Sequence, residues 1–209
     1  MRMRYLVVVT AVVHTITAAS GVAQREPPPP FPGECRALAR ELLQDQSQRL
    51  KYAQALSRCK DDGPPVLTSL WVTPPTLKTE REVLVAATVE LRDYRIFQAV
   101  RTVALNVSNG TEVRISALEA LVGYFDPGAV LMSHETAGDR RWAIGGWGHY
   151  TPPTDGAQPL PTNIRNQVLE VFRSLATDTT SDVGRAAKDV LYSLEGLARW
   201  TQPAPPGDG

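Results

Sequence analysis

One pattern of apolar and polar positions recurs along the chain. In residues 112–121, Val113, Ala117 and Leu121 stand four residues apart, with polar residues between them. This spacing places their side chains on one face of an α-helix. The same pattern, an acidic residue followed by Val-x-x-x-Ala-x-x-x-Leu, returns at 82–91 and 182–191, with a fainter copy at 47–56. The pattern predicts several related helices that pack through a small alanine.

The segments in front of two of these copies also match each other. Apolar residues have the same spacing at Ile96, Val100 and Val103 as they have in residues 164–171. Self-similar helix pairs are the sequence signature of a helical solenoid. The sequence therefore predicts an all-α fold of about four antiparallel helix pairs, near residues 34–59, 64–91, 93–124 and 162–199.

The decapeptide resembles the second helix of a HEAT repeat, in the short bacterial form of that family. Val113, Arg114, Ala117 and Leu121 carry the resemblance, which covers residues 64–198 well and 34–59 weakly. It implies a right-handed α-solenoid of the armadillo-like helical type. The copies at 82–91 and 182–191 lack the arginine after valine, so the resemblance implies a fold rather than an activity.

The repeat is interrupted between residues 128 and 161 by a loop or β-hairpin insertion rich in glycine and aromatic residues. Residues 141–150 are predicted to form a hairpin with Gly145-Gly146 as its two-residue turn. Two interpretations of the large side chains stay open: they pack on the flank of the helices, or they form a platform for a partner. The candidate partner-binding residues are Trp142, Trp147, His149 and Tyr150.

The first 23 residues are typical of a secretory signal peptide. Arg2 and Arg4 precede an apolar stretch over residues 5–19, and small residues follow at 18–23. An uncleaved anchor is the alternative, but the stretch is too short and too polar for a membrane span of about 20 residues. We therefore expect export to the periplasm or the extracellular space, with no stable membrane span in the mature chain. We expect residues 24–33 to form a proline-rich linker and residues 200–209 to form a disordered tail.

The only two cysteines are Cys35 and Cys59. A single helix between them would hold the sulfur atoms about 36 Å apart at 1.5 Å per residue. A helical hairpin that turns near residues 45–47 would bring them together. In an exported chain this favours a disulfide over a catalytic or metal-binding thiol pair.

Composition and motifs limit the classes of function that the sequence supports. The chain has 209 residues and no net charge, with 22 basic and 22 acidic side chains, which argues against a nucleic-acid-binding protein. We find no catalytic motif, no metal-binding spacing and no cofactor signature. We expect a non-catalytic scaffold for protein–protein interaction. The alternatives are a ligand-binding or enzymatic role of the insertion, and a structural envelope protein without a specific ligand.

Overall fold

A computed structural model describes residues 32–59, 61–136, 139–145 and 160–200, and its described part is mostly helical with one small two-stranded sheet. The helices are α1 (Pro32–Gln44), α2 (Arg49–Leu56), α3 (Gly63–Val72), α4 (Lys78–Leu91), α5 (Tyr94–Leu105), α6 (Thr111–Phe125), α7 (Ile164–Leu175) and α8 (Asp182–Trp200). The strands are β1 (Val130–Thr136) and β2 (Asp139–Gly145). The predicted signal peptide lies outside the described residues.

The boundaries of the helical region differ slightly from the prediction. α1 begins at Pro32, inside the expected linker, because proline is well suited to the first turn of a helix. α8 continues to Trp200, one residue into the expected tail. No helix in the described ranges is long and apolar enough to cross a membrane.

The helices contact one another as four consecutive pairs in two series. α1, α3, α5 and α7 touch in that order, and so do α2, α4, α6 and α8. The alanines of the repeated decapeptide are buried between the members of the second series: Ala87, Ala117 and Ala187 are all 0% exposed. Gly123 on α6 continues this close packing, because a Cβ atom there would lie only 2.4 Å from Val89 of α4.

The junction between α4 and α5 is tied to the end of α6. Arg92 ends α4 in the left-handed conformation, with φ of 47°, and its guanidinium donates to the carbonyl oxygen of Tyr124 at 3.0 Å. Asp93 begins α5 by accepting a hydrogen bond from the Arg95 backbone N–H at 2.8 Å. The Tyr124 hydroxyl donates to the Asp93 carbonyl at 2.8 Å, and burial raises the pKa of Tyr124 well above its usual value. The second and third helix pairs are thereby joined by polar contacts as well as apolar packing.

Buried arginines bind the carbonyl groups at the ends of first helices. Arg114 donates through Nε to the Ala104 carbonyl oxygen, at 2.9 Å, near the end of α5. Arg81 donates through Nη1 to the carbonyl oxygens of Pro75 and Thr76, which lie in the loop between α3 and α4. Both side chains satisfy carbonyls that lack a partner within the helix or turn. In the decapeptide of the fourth helix pair, Gly184 stands at the position that Arg114 has in the third. A side chain does not fit there, because the turn before α8 occupies the space.

The predicted disulfide is confirmed. Cys35 on α1 is bonded to Cys59, which follows α2, with Cα atoms 5.8 Å apart. The predicted turn is also confirmed: α1 ends at Gln44, and a short 3₁₀ turn, Gln46–Gln48, leads into α2. The bridge closes the open end of the first helix pair.

The insertion contains a β-hairpin, but the predicted placement of its turn at Gly145-Gly146 was wrong. β1 pairs with β2 in antiparallel orientation, and Gly145 lies opposite Val130 at the end of a strand rather than in a turn. A Cβ atom on Gly145 would meet the Met132 side chain at 1.8 Å. Gly145 therefore makes room for a neighbouring strand's side chain. β1 packs on α6 and β2 packs on α8.

Candidate functional site

The hairpin is held on the helices by the face that carries Trp142. Leu131 lies opposite Ile144, and Ser133 lies opposite Trp142, so these four side chains share one face of the sheet. Trp142 is 8% exposed, and its backbone N–H donates to the Asp189 carboxylate of α8 at 3.2 Å. The Arg140 guanidinium lies 5.3 Å from the centre of the Trp142 ring. This face of the hairpin therefore packs on the helices of the same chain.

Of the four predicted partner-binding residues, the structure describes only Trp142. Trp142 presents little surface to a partner, since it is packed on the flank of the helices. Trp147, His149 and Tyr150 lie outside the described residues, and their role stays a prediction.

A cleft opens where β2 meets the N-terminal part of α8. Its volume is about 310 Å³, and we call it the basic cleft. Its lining residues come from β2, from the turn between α7 and α8, and from α8: Arg140, Arg141, Thr179, Arg185, Lys188 and Asp189. Four cationic side chains thus surround a single lining carboxylate.

The cations on the hairpin are partly neutralised by nearby carboxylates. Arg141 lies 3.9 Å from Asp189, and its side chain is 67% exposed. Arg140 lies 3.4 Å from Glu112 of α6 and 3.3 Å from Glu135 of β1. Each of these ion pairs has one exposed partner, and such pairs contribute little free energy, about 0–1 kcal/mol each. An anion that enters the cleft can therefore compete for these cations at small cost.

The cations on α8 share one side of the helix. Arg185 and Lys188 are three residues apart and so are neighbours on the helix surface. Arg185 pairs with Asp182 one turn earlier, whereas Lys188 forms no ion pair with any residue that the structure describes. Tyr192 follows Lys188 by four residues and is 79% exposed. Tyr192 therefore lies one turn beyond the basic cleft, on the same side of α8 as Lys188.

The turn that forms one wall of the cleft is held by Asp178. Its carboxylate accepts hydrogen bonds from the Thr180 hydroxyl at 2.6 Å, from the Thr180 backbone at 3.0 Å and from the Ser181 backbone at 3.3 Å. These bonds, led by that from the Thr180 hydroxyl, lower the pKa of Asp178 below its ordinary value. Asp178 is therefore ionised at neutral pH and keeps Thr179 in position.

A second charged feature lies on α4 and α6. Burial raises the pKa of Glu119 on α6, and the nearby charge of Glu82 on α4 raises it further, whereas Lys78 lowers it. The folded protein consequently binds more protons at Glu119 than the unfolded chain does at pH values around and above 4.5. Its contribution makes stability fall as the pH rises through this range.

Metal-ligand types are present in the insertion but are not clustered in its described part. His134 and Glu135 are adjacent on β1, so their side chains point to opposite faces of the hairpin. Among the described residues, no three His, Cys, Asp or Glu side chains are grouped as metal ligands would be.

Comparison with known proteins identifies no relative. No family model, curated protein or solved structure matches the chain. The resemblance of the decapeptide to HEAT repeats therefore stays a prediction.

The basic cleft is not evident from the sequence. Two signals were available: the Arg140-Arg141 pair inside the insertion, and the spacing of Arg185 and Lys188 on a helix. Neither signal indicates that the two pairs meet, because more than 40 residues separate Arg141 from Arg185.

Proposed function

We propose that the protein is an exported HEAT-like α-solenoid that acts as a non-catalytic scaffold for binding another protein. The arrangement of its helices supports the fold part of this proposal. First helices touch first helices and second helices touch second helices along the whole described chain. Stacked repeats that bury their faces only against neighbouring repeats produce this order of contacts.

Export is supported by two independent features. The first 23 residues have the basic, apolar and small-residue regions of a signal peptide. The Cys35–Cys59 disulfide uses every cysteine in the chain, and structural disulfides persist mainly in oxidising compartments.

Protein binding is supported chiefly by the basic cleft. A hairpin that is seated on the helices by Trp142 presents Arg141 beside the cations of α8. Binding residues are often placed on loops that a rigid scaffold positions. Small-molecule pockets are mostly apolar, whereas this lining is predominantly charged. A polar macromolecular surface therefore suits the cleft better than a small apolar ligand.

Photo-crosslinking tests this proposal. A photoreactive amino acid replaces Lys188 in the cleft or, as the control, the exposed Lys51 on α2. Both variants are expressed in the cells that naturally make the protein. We expect a discrete covalent adduct with another protein at position 188 and a weaker adduct or none at position 51. The scaffold proposal fails if neither position, nor position 141 on the hairpin, yields a protein adduct.

A further inference from the structure

We propose that the basic cleft binds an acidic segment of the partner protein, with its carboxylates on Arg141, Arg185 and Lys188. This inference rests on the scaffold function proposed above and adds the chemistry of the partner. Its basis is the meeting of cations from two separate elements, β2 and α8, around one open cleft.

The spacing of the cations suits several carboxylates rather than one. Arg185 and Lys188 are neighbours one turn apart, with Cβ atoms that such positions hold roughly 5–6 Å apart. Arg141 faces them from the hairpin across the cleft. Arginine binds a carboxylate through two parallel N–H groups, and lysine adds a flexible point charge. An acidic segment with two or three carboxylates can therefore occupy all three cations at once.

The ion pairs already present in the cleft favour the binding of several linked carboxylates over the binding of one small anion. Arg141 and Arg185 form ion pairs with Asp189 and Asp182, whereas Lys188 has no such pair among the described residues. One small anion must compete with these carboxylates separately at each cation. Carboxylates on one peptide arrive together, because binding of the first raises the effective concentration of the next.

Asp189 further distinguishes a peptide from phosphate. Its carboxylate lines the cleft, accepts the Trp142 N–H and has intermediate burial. A compact, doubly charged anion would be repelled by it. A peptide can place backbone N–H donors near Asp189 and its own carboxylates on the surrounding cations. The exposed ring of Tyr192, farther along α8, adds apolar contact area for the same segment.

Fluorescence polarisation tests the inference with a dye-labelled peptide in which glutamates alternate with serines. The purified full chain with its disulfide intact is used throughout. The matched control peptide has glutamine in place of every glutamate. We expect saturable binding of the glutamate peptide, weakening with added salt, and no saturable binding of the glutamine peptide.

Charge-matched variants locate the site. Arg185→Gln/Lys188→Gln removes two cleft cations, whereas Lys51→Gln/Lys78→Gln removes two exposed cations on α2 and α4. Both double variants change the net charge equally. The cleft variant is expected to weaken glutamate-peptide binding by about tenfold or more, because two charge-assisted hydrogen bonds are lost. The control variant should change it by less than about twofold, as expected for distant, screened charges.

Three outcomes overturn the inference: equal weakening by both double variants, inorganic phosphate displacing the peptide at equal concentration, or binding to vesicles containing anionic lipid but not to the peptide. The first leaves only a general charge effect, the second indicates a small-anion site, and the third indicates a membrane surface. If photo-crosslinking at position 188 captures a protein while the glutamate peptide does not bind, the acidic-partner inference fails and the scaffold function stands.

Discussion

Removing the disulfide tests whether the first helix pair depends on a covalent link. The bridge joins the first turn of α1 to the segment after α2. Among the described side chains of α1, only Cys35 and Leu42 are buried. Without the bridge, α1 would be held by one fully buried leucine and a few half-buried contacts. We therefore expect Cys35→Ala/Cys59→Ala to loosen α1 before the rest of the chain.

The magnitude follows from the length of chain that the bridge closes. The two cysteines are 24 residues apart. For a loop of that length, the chain-entropy relation gives about 3.5 kcal/mol of stabilisation at 25 °C. Alanine is the appropriate replacement because Cys59 is only 1% exposed, and a serine hydroxyl there would add an unrelated cost of burial.

Urea unfolding measures the total effect, and hydrogen exchange with mass spectrometry locates it. The double variant should be less stable by about 3.5 kcal/mol, and amide exchange should accelerate first in α1. Reduced wild-type protein serves as the control and should behave like the double variant. If the free energy of unfolding falls by less than about 1 kcal/mol and amide exchange in α1 is unchanged, the bridge does not hold α1 on the rest of the protein.

Three further substitutions probe the packing. Glu119→Gln should raise the melting temperature at neutral pH and flatten the fall in stability above pH 4.5, because the partly buried carboxylate destabilises the fold only when it is ionised. Thermal melts over a pH series test this, and identical melting of the two proteins would contradict it. Trp142→Ala should lower the free energy of unfolding by about 3–5 kcal/mol, whereas Tyr192→Ala, at an exposed position, should change it little. Equal losses in chemical unfolding would contradict the role of Trp142 in packing the hairpin on the helices. Gly184→Ala should cost about 1–3 kcal/mol, because its Cβ would overlap a carbonyl oxygen of the preceding turn, and an unchanged melting curve would disprove that contact.

The helices were predictable because their signals are local. The spacing of apolar residues in 93–124 and 162–199 predicted α5 to α8, and the structure has helices over nearly the same residues. The Cys35–Cys59 bridge was predictable for a related reason: the polar residues near 45–47 mark a turn between two apolar helical segments. In both cases the deciding interactions lie within a few residues or one helix pair.

The position of the hairpin was not predictable from the same signals. Gly145-Gly146 has the composition of a two-residue turn, but Gly145 lies in β2, where the Met132 side chain of β1 packs over it. The arginine contacts show the same limit. Arg81 binds carbonyls beyond its own helix as Arg114 does, although it lies one turn earlier in the repeated pattern. Space left by neighbouring elements, rather than local spacing, determines both positions.

The pattern along the chain thus determined the helical character, the bounds of most helices and the disulfide, because helix periodicity and short connections act over short distances in sequence. The basic cleft depends on the packing of β2 against α8, which brings Arg141 to Arg185 and Lys188. Trp142 makes that packing possible by burying its ring and bonding to Asp189. Contacts between distant segments carry no periodic signature, so the cleft emerged only when the chain was folded.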